Sequence, residues 1–260
     1  MPGLPAILPE AVLYREIQAK EEENIMSYNV AIDGPAGAGK STIAKAVAKK
    51  KNLIYVDTGA MYRAMALFML REGVSAQDAE GISSKCQEAD ITIGYENGEQ
   101  VVYLNGENVN AYLRTEEVGN MASATSVQPA VRKKLVELQQ ALAAKSDCIM
   151  DGRDIGTCVL PNAQVKIYLT ASSEVRAKRR FDELTAKGEN CDLEKIKADI
   201  EERDYRDMNR EHSPLRQAED AILVDTSEMS VEEVIEHIIC ICDSVKKLDA
   251  ICKSVEKKTE

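Results

Sequence analysis

The chain alternates between short apolar runs and longer segments in which apolar residues recur at helical spacing. The first pattern is typical of buried strands and the second of amphipathic helices. Five apolar runs predict strands, at 28–33, 52–56, 146–154, 165–169 and 221–225. Helical periodicity follows them at 40–48, 60–71, 115–124, 129–145, 172–184, 193–210 and 230–245. Strands that alternate with helices predict an α/β protein, with a parallel five-stranded sheet flanked by helices and ligands at the carboxyl ends of the strands.

One stretch breaks this alternation. Between about 82 and 112, β-rich runs are separated by Asn97-Gly98 and Asn105-Gly106, and Asn-Gly between alternating apolar residues is a strong hairpin signal. The sequence therefore predicts a small antiparallel β insert within a domain that spans 26–245, followed by a surface helical tail at 246–260. Residues 1–25 are expected to be a flexible or non-native leader, because Met26 would make a natural start just before the first strand.

Composition excludes several classes of protein. With 260 residues, 44% of them hydrophobic, the chain can bury a substantial core. A net charge of -11 and a pI near 4.9 argue against a protein that binds nucleic acid or a membrane surface, since both usually require a basic excess. The seven cysteines are odd in number and contain no Cys-x-x-Cys, which predicts free thiols. We therefore expect a cytoplasmic protein.

The first predicted strand runs into a glycine-rich turn that opens a helix. Gly34, Gly39, Lys40 and Ser41 satisfy the phosphate-loop pattern of glycine, four residues, then Gly-Lys-Ser. Glycines let main-chain amides approach a polyphosphate, the lysine supplies a full charge, and the serine hydroxyl can bind Mg²⁺. The predicted ATP-binding residues are Gly34, Pro35, Ala36, Gly37, Ala38, Gly39, Lys40, Ser41 and Thr42. The alternative is a glycine-rich turn that binds nothing.

Charged side chains suggest further parts of a site. Asp151 lies at the end of an apolar strand, where a carboxylate can hold Mg²⁺ together with Ser41, directly or through water. Arg63 is either a snorkelling surface residue or a clamp for a ligand, and its nearness to a strand end favours the clamp. Six arginines fall between 176 and 210, at Arg176, Arg179, Arg180, Arg203, Arg206 and Arg210. The first three share one helical face, and the alternative is a solvated helix whose arginines pair with nearby acids.

Five segments, IDGPAGAGKST, DTGAMYR, LRTEEV, DGRDIGT and RDYRDMNR, together and in this order resemble the bacterial cytidylate kinases. The resemblance extends from about 26 to 245 and implies a nucleoside monophosphate kinase fold with a short lid at about 176–210. It implies an enzyme that phosphorylates CMP and dCMP with ATP and Mg²⁺ in pyrimidine nucleotide metabolism. We expect this enzyme to be a monomer.

The resemblance also implies roles for individual residues. The monophosphate would contact Thr58, Arg63, Ser123, Arg132, Arg153, Asp154, Arg203, Asp207 and Arg210. The catalytic group would consist of Lys40, Asp151 and the lid arginines Arg176, Arg179 and Arg180. From residue statistics alone, Arg132 is better explained as a surface charge.

The chemistry of phosphoryl transfer fits this set of residues. A monophosphate acceptor is already an anionic nucleophile, so the reaction needs alignment and neutralised oxygens more than a base. Two other functions stay open: a phosphate-loop kinase for a different small acceptor, and a nucleotide-binding regulatory switch. ATP turnover that is independent of any added monophosphate would indicate the switch.

Overall fold

The computed structural model describes residues 27–96 and 98–259, with side chains up to Cys252. The predicted leader at 1–25 lies outside the described residues. The chain divides into two compact units. Unit 1 contains Thr58–Asp147 with residues 27–28, and unit 2 contains Asn29–Asp57 and Cys148–Glu260.

The regular elements of the described residues are numbered in chain order. The strands are β1 (Asn29–Asp33), β2 (Ile54–Asp57), β3 (Ile91–Glu96), β4 (Glu99–Leu104), β5 (Glu107–Asn108), β6 (Cys148–Gly152), β7 (Val165–Thr170) and β8 (Ile222–Asp225). The α-helices are α1 (Lys40–Lys51), α2 (Thr58–Arg71), α3 (Ala79–Lys85), α4 (Glu116–Thr125), α5 (Pro129–Lys145), α6 (Ser173–Ala186), α7 (Leu193–Asn209) and α8 (Val231–Thr259). The described residues also contain a 3₁₀-helical turn at Cys86–Glu88 and a π-helical turn at Ile155–Val159.

Unit 2 is built on the predicted five-stranded sheet, which is parallel throughout in the order β2-β6-β1-β7-β8. The second strand begins later than predicted, at Ile54, because Asn52 ends α1 in a left-handed conformation with φ of 55°. In that conformation the N–H of Leu53 donates to the carbonyl of Ala48, which turns the chain out of the helix. The five predicted strands are confirmed.

The core of unit 2 lies between this sheet and its helices. Val30, Ala31 and Ile32 on the central strand are fully buried, as expected for a parallel sheet covered on both faces. Helix α1 buries Ile43, Ala44 and Val47 and packs against β6 and α8. These contacts fix the start of α1, and therefore the phosphate loop, relative to the ends of β1 and β6.

Helix boundaries in unit 2 follow local capping chemistry. Ser172 accepts a hydrogen bond from the N–H of Val175 at 3.2 Å, so Ser172 is the cap of α6. Helix α8 does not end near 245 but continues to Thr259, and its exposed Leu248 and Ile251 fit a surface helical tail. No helix in the described part of the chain is both long and apolar enough to cross a membrane.

Unit 1 contains the predicted antiparallel insert, with strands in the order β3-β4-β5. Asn105 and Gly106 both have positive φ, 50° and 82°, which is the geometry that an Asn-Gly hairpin turn requires. The insert belongs to a larger compact unit than its predicted limits of about 82–112, because α2 packs against both α4 and β4. Met61, Met65 and Met69 of α2 are completely buried in this unit.

Candidate active site

The predicted phosphate loop connects β1 to α1 in unit 2, so its strand-loop-helix setting is confirmed. Gly34 is required here, because its φ is 152° and an added Cβ would lie 1.9 Å from the carbonyl oxygen of Leu169. Gly39 has a φ of 84° and occupies the position before the first helical residue, Lys40. The N–H groups at the start of α1 therefore face the loop, which is the arrangement that binds anions.

Lys40 is buried at the base of this loop. Its Nζ donates to the carbonyl of Pro35 at 2.8 Å. Burial lowers the pKa of Lys40 well below its usual value, and the nearby positive charge of Arg153 acts in the same direction. The carboxylates of Asp151 and Asp33 oppose this shift and favour the charged form of the lysine.

Asp151 lies one residue before the end of β6, beside the first turn of α1. Ser41 Oγ donates to Asp151 Oδ2 at 2.8 Å, and Tyr55 Oη donates to Asp151 Oδ1, also at 2.8 Å. In the sheet Asp151 is paired in register with Asp57 of β2. Burial, followed by the charge of Asp57, raises the pKa of Asp151, whereas Lys40 and the two hydroxyl donors oppose the rise. The sequence did not single out Tyr55, although a hydroxyl inside an apolar strand was a usable signal.

The segment after β6 contributes one partner to each of two arginine-aspartate pairs. Arg153 Nε donates to Asp207 Oδ2 at 2.8 Å, and Arg210 Nη2 lies 3.4 Å from Asp154 Oδ1. Burial, the largest single influence, raises the pKa of Asp207, but Arg153, Arg203 and Arg210 together outweigh it and lower the pKa. The structure thus brings four of the predicted substrate-binding residues together in unit 2, and Arg203 adds positive charge near the same carboxylate of Asp207.

Asp33 is a buried acid that sequence reasoning passed over within the loop motif. Its two carboxylate oxygens accept hydrogen bonds from the N–H groups of Ile155 and Gly156, both at 2.7 Å. These bonds hold the turn that begins directly after Asp154. Burial raises the pKa of Asp33 to about 6, although the two backbone donors oppose this change. A charged residue within an apolar strand was the signal that could have identified it.

The three predicted lid arginines share α6, but they have different partners. Arg176 is buried, donates from Nη1 to the carbonyl of Ala36 at 2.8 Å, and pairs through Nη1 with Asp204 Oδ2 at 2.6 Å. Asp204, which the sequence did not single out, also accepts from the N–H of Ala36 at 3.3 Å. Arg176 therefore contacts the phosphate loop directly.

The other two lid arginines point to different neighbours. Arg179 donates to the carbonyl of Thr226 at 2.7 Å, and Arg180 pairs with Glu183 at the helix surface. A shared helical face therefore did not predict a shared contact. The alternative account, pairing with nearby acids, describes Arg180 as the structure has it.

The remaining predicted substrate contacts lie in unit 1. Thr58 opens α2 and is buried, while Arg63 and Ser123 are half-buried. Arg132 is only 5% exposed, so the statistical expectation of a surface charge is wrong. Its Nη1 donates to the carbonyl of Ser126 at 3.3 Å, and its guanidinium lies 5.7 Å from the centre of the Tyr62 ring. The ring and the carbonyl compensate for burying its charge.

Among the described residues, no group of three or more histidine, cysteine, aspartate or glutamate side chains is arranged to hold a metal ion. Magnesium in nucleotide enzymes is usually bound by one or two protein ligands together with phosphates and waters. The hydroxyl of Ser41 and the carboxylate of Asp151 are hard oxygen donors that lie 2.8 Å apart. This donor pair fits the chemistry of a magnesium ion.

Comparisons with known proteins cover the same part of the chain. A family model described as cytidylate kinase matches residues 30–244. The cytidylate kinase of Listeria welshimeri is 51% identical over 215 residues, which cover 82% of this chain and 95% of the relative. That of Caldicellulosiruptor bescii is 50% identical over 211 residues, covering 81% and 93%. That of a Geobacter species is 46% identical over 207 residues, covering 80% and 89%.

Proposed function

The chain belongs to the cytidylate kinase family and phosphorylates CMP and dCMP with ATP as co-substrate, and we propose that the phosphate loop and Asp151 of unit 2 bind the ATP together with Mg²⁺. The observation that carries this proposal is the hydrogen bond between Ser41 and Asp151 at the start of α1. It places a hydroxyl and a carboxylate beside the buried lysine of a complete phosphate loop.

The phosphate loop provides donors for the ATP phosphates. Main-chain N–H groups from Gly37 to Thr42 belong to the loop and the first turn of α1, and the helix dipole adds positive potential at the same end. Lys40 adds an amino group beside the loop, and its present acceptor, the carbonyl of Pro35, is an uncharged group. A phosphate oxygen is a stronger acceptor for an ammonium group than a carbonyl, so the lysine should exchange one for the other.

The spacing of the two oxygen donors supports a place for Mg²⁺. Ligands at about 2.05 Å in an octahedron have neighbouring oxygens about 2.9 Å apart, which is √2 times the metal distance. Ser41 Oγ and Asp151 Oδ2 lie 2.8 Å apart. Both atoms could therefore serve as adjacent ligands with little movement. When bound, the metal would neutralise phosphate oxygens and help to align the transferred group.

The acceptor side of the reaction needs orientation and charge neutralisation. Arg153 and Arg210 are rigid forks held by Asp207 and Asp154, and such guanidinium groups suit the oxygens of a monophosphate. No general base is needed, since the attacking phosphate is already ionised. The roles implied for the unit 1 residues Thr58, Arg63, Ser123 and Arg132 are retained as proposals.

One assay tests this proposal. ADP release is measured with ATP and Mg²⁺ across CMP, dCMP, UMP, AMP and GMP, with ATP alone as the control. We expect rapid release with CMP and dCMP, slower release with UMP, and almost none without a monophosphate. Release that is equally fast with ATP alone would indicate a regulatory ATPase, and a preference for another acceptor would overturn the substrate assignment.

A further inference from the structure

Both oxygens of the Asp151 carboxylate accept a hydrogen bond from a hydroxyl group. Ser41 donates to Oδ2 and Tyr55 donates to Oδ1, each at 2.8 Å. The serine lies in the phosphate loop motif, whereas the tyrosine belongs to no part of that motif. A second hydroxyl on the proposed metal-binding carboxylate therefore requires its own explanation.

The sheet fixes where the Tyr55 hydroxyl can reach. In the parallel pair of β2 and β6, Tyr55 lies opposite Ile149, and the next residue on the same face, Asp57, lies opposite Asp151. The tyrosine side chain leans along its strand and ends at the carboxylate two positions further on. Its ring is 8% exposed and lies 5.7 Å from Lys45 Nζ. Only two side-chain torsions are available to it, so the hydroxyl is held in one place.

A carboxylate held at one oxygen has lost most of its freedom to rotate. Without the tyrosine, Asp151 could turn either oxygen toward Ser41 or move away from the neighbouring carboxylate of Asp57. With Oδ1 fixed by Tyr55, Oδ2 stays 2.8 Å from the serine hydroxyl. That separation matches neighbouring ligands of an octahedral Mg²⁺. The hydroxyl thus maintains the donor pair before any metal binds.

We propose that Tyr55 is a positioning residue for the magnesium ion, acting through Asp151 and not through contact with a nucleotide. The inference rests on the proposed function, in which Ser41 and Asp151 bind Mg²⁺. Hydrogen-bond partners of metal ligands typically contribute 10- to 100-fold to metal affinity, and the ATP phosphates contribute much of the binding here. We therefore expect Tyr55→Phe to reduce the metal-dependent part of nucleotide affinity by roughly tenfold.

The experiment measures binding and not turnover. Calorimetry gives the Kd of a non-hydrolysable ATP analogue in Mg²⁺ and in EDTA for the wild-type protein, Tyr55→Phe, Asp151→Asn and Tyr103→Phe. The last variant is a matched control, because it removes a tyrosine hydroxyl that donates to a carboxylate, that of Glu96, at 2.6 Å in unit 1. The ratio of the Kd in EDTA to the Kd in Mg²⁺ isolates the contribution of the metal.

The inference predicts a ratio about tenfold smaller in Tyr55→Phe, with the Kd in EDTA unchanged and Tyr103→Phe equal to wild type. A tyrosine that only stabilises the sheet would lower Tm but leave the ratio at the wild-type value, which would overturn the inference. If wild type and Asp151→Asn share one ratio, the proposed metal role of Asp151 fails, and the role of Tyr55 fails with it. A wild-type ratio in Tyr55→Phe beside a reduced one in Asp151→Asn rejects Tyr55 alone.

Discussion

Removing the carboxylate of Asp204 should destabilise unit 2 far more than removing any exposed acid. Asp204 pairs with Arg176 at 2.6 Å, and both side chains are largely buried, with 11% and 7% exposed. Asp204→Ala leaves a buried guanidinium without its counter-charge and also removes the acceptor for the N–H of Ala36. Such an uncompensated buried charge is one of the few changes that cost several kcal/mol.

The size of the effect follows from what Arg176 retains. Breaking a buried ion pair typically costs about 3–5 kcal/mol. Arg176 keeps the carbonyls of Ala36 and Ala171 as acceptors, at 2.8 and 2.9 Å, so the loss should lie near the lower end, about 3 kcal/mol. For a protein of this size, that loss corresponds to a fall in Tm of roughly 6–12 °C.

Thermal unfolding followed by circular dichroism provides the test. The matched control is Asp182→Ala, because Asp182 pairs with Lys178 on the same helix but both side chains are exposed. An exposed pair contributes little, so its Tm should change by less than about 2 °C. Replacing both partners, with Arg176→Met and Asp204→Leu, should recover much of the loss, since the unpaired charge is gone. A fall in Asp204→Ala no larger than in the control would refute the reasoning.

Three further outcomes are expected. Lys40→Ala should leave Tm nearly unchanged and reduce kcat by several powers of ten, whereas near-wild-type kcat would exclude the loop as the ATP site. Because burial raises the pKa of Asp33 to about 6, its carboxyl ¹³C signal should titrate near that value. The folded state then binds this proton more tightly than the unfolded state, so unfolding free energy should fall by about 2 kcal/mol as pH rises from 4 to 6, and this fall should be absent in Asp33→Asn. We propose that Asp154 accepts a hydrogen bond from the amino group of cytosine, whereas uracil presents an oxygen at that position. Asp154→Asn should then reduce the preference for CMP over UMP, expected at roughly two powers of ten, because an amide can donate to the uracil oxygen where a carboxylate cannot. If Asp154 serves only to hold Arg210, kcat/KM for the two substrates will fall by the same factor.

Local sequence patterns were sufficient for the parts of the fold that depend on neighbouring residues. The Asn105-Gly106 turn and the cap at Ser172 are set within a few positions of the chain. The phosphate loop is equally local, because its glycines are needed where the backbone leaves β1 and enters α1. The turn and the loop were predicted because one short segment contains both the cause and the result.

The missed residues all act across long distances in sequence. Tyr55 reaches Asp151 across 96 positions, and Asp33 reaches Ile155 across 122. Their partners are determined by which strands become neighbours in the sheet, and no periodicity specifies that order. Asp204 is similar, since on its own helix it looks like one of many surface acids. Only the packing of α6 and α7 in unit 2 brings it to Arg176.

The roles proposed for the arginines of unit 2 would explain how an acidic protein binds two anionic nucleotides. With a net charge of -11, the protein has no overall field that attracts phosphates. Instead, Arg153, Arg176 and Arg210 are each held by an aspartate, at Asp207, Asp204 and Asp154. Each carboxylate offsets the repulsion between guanidinium groups and fixes their orientation, so the charges stay together without a ligand. A phosphate that binds to an oriented guanidinium group shares that group with the carboxylate or displaces the carboxylate. Binding then depends on the geometry of the guanidinium groups more than on the net charge of the protein.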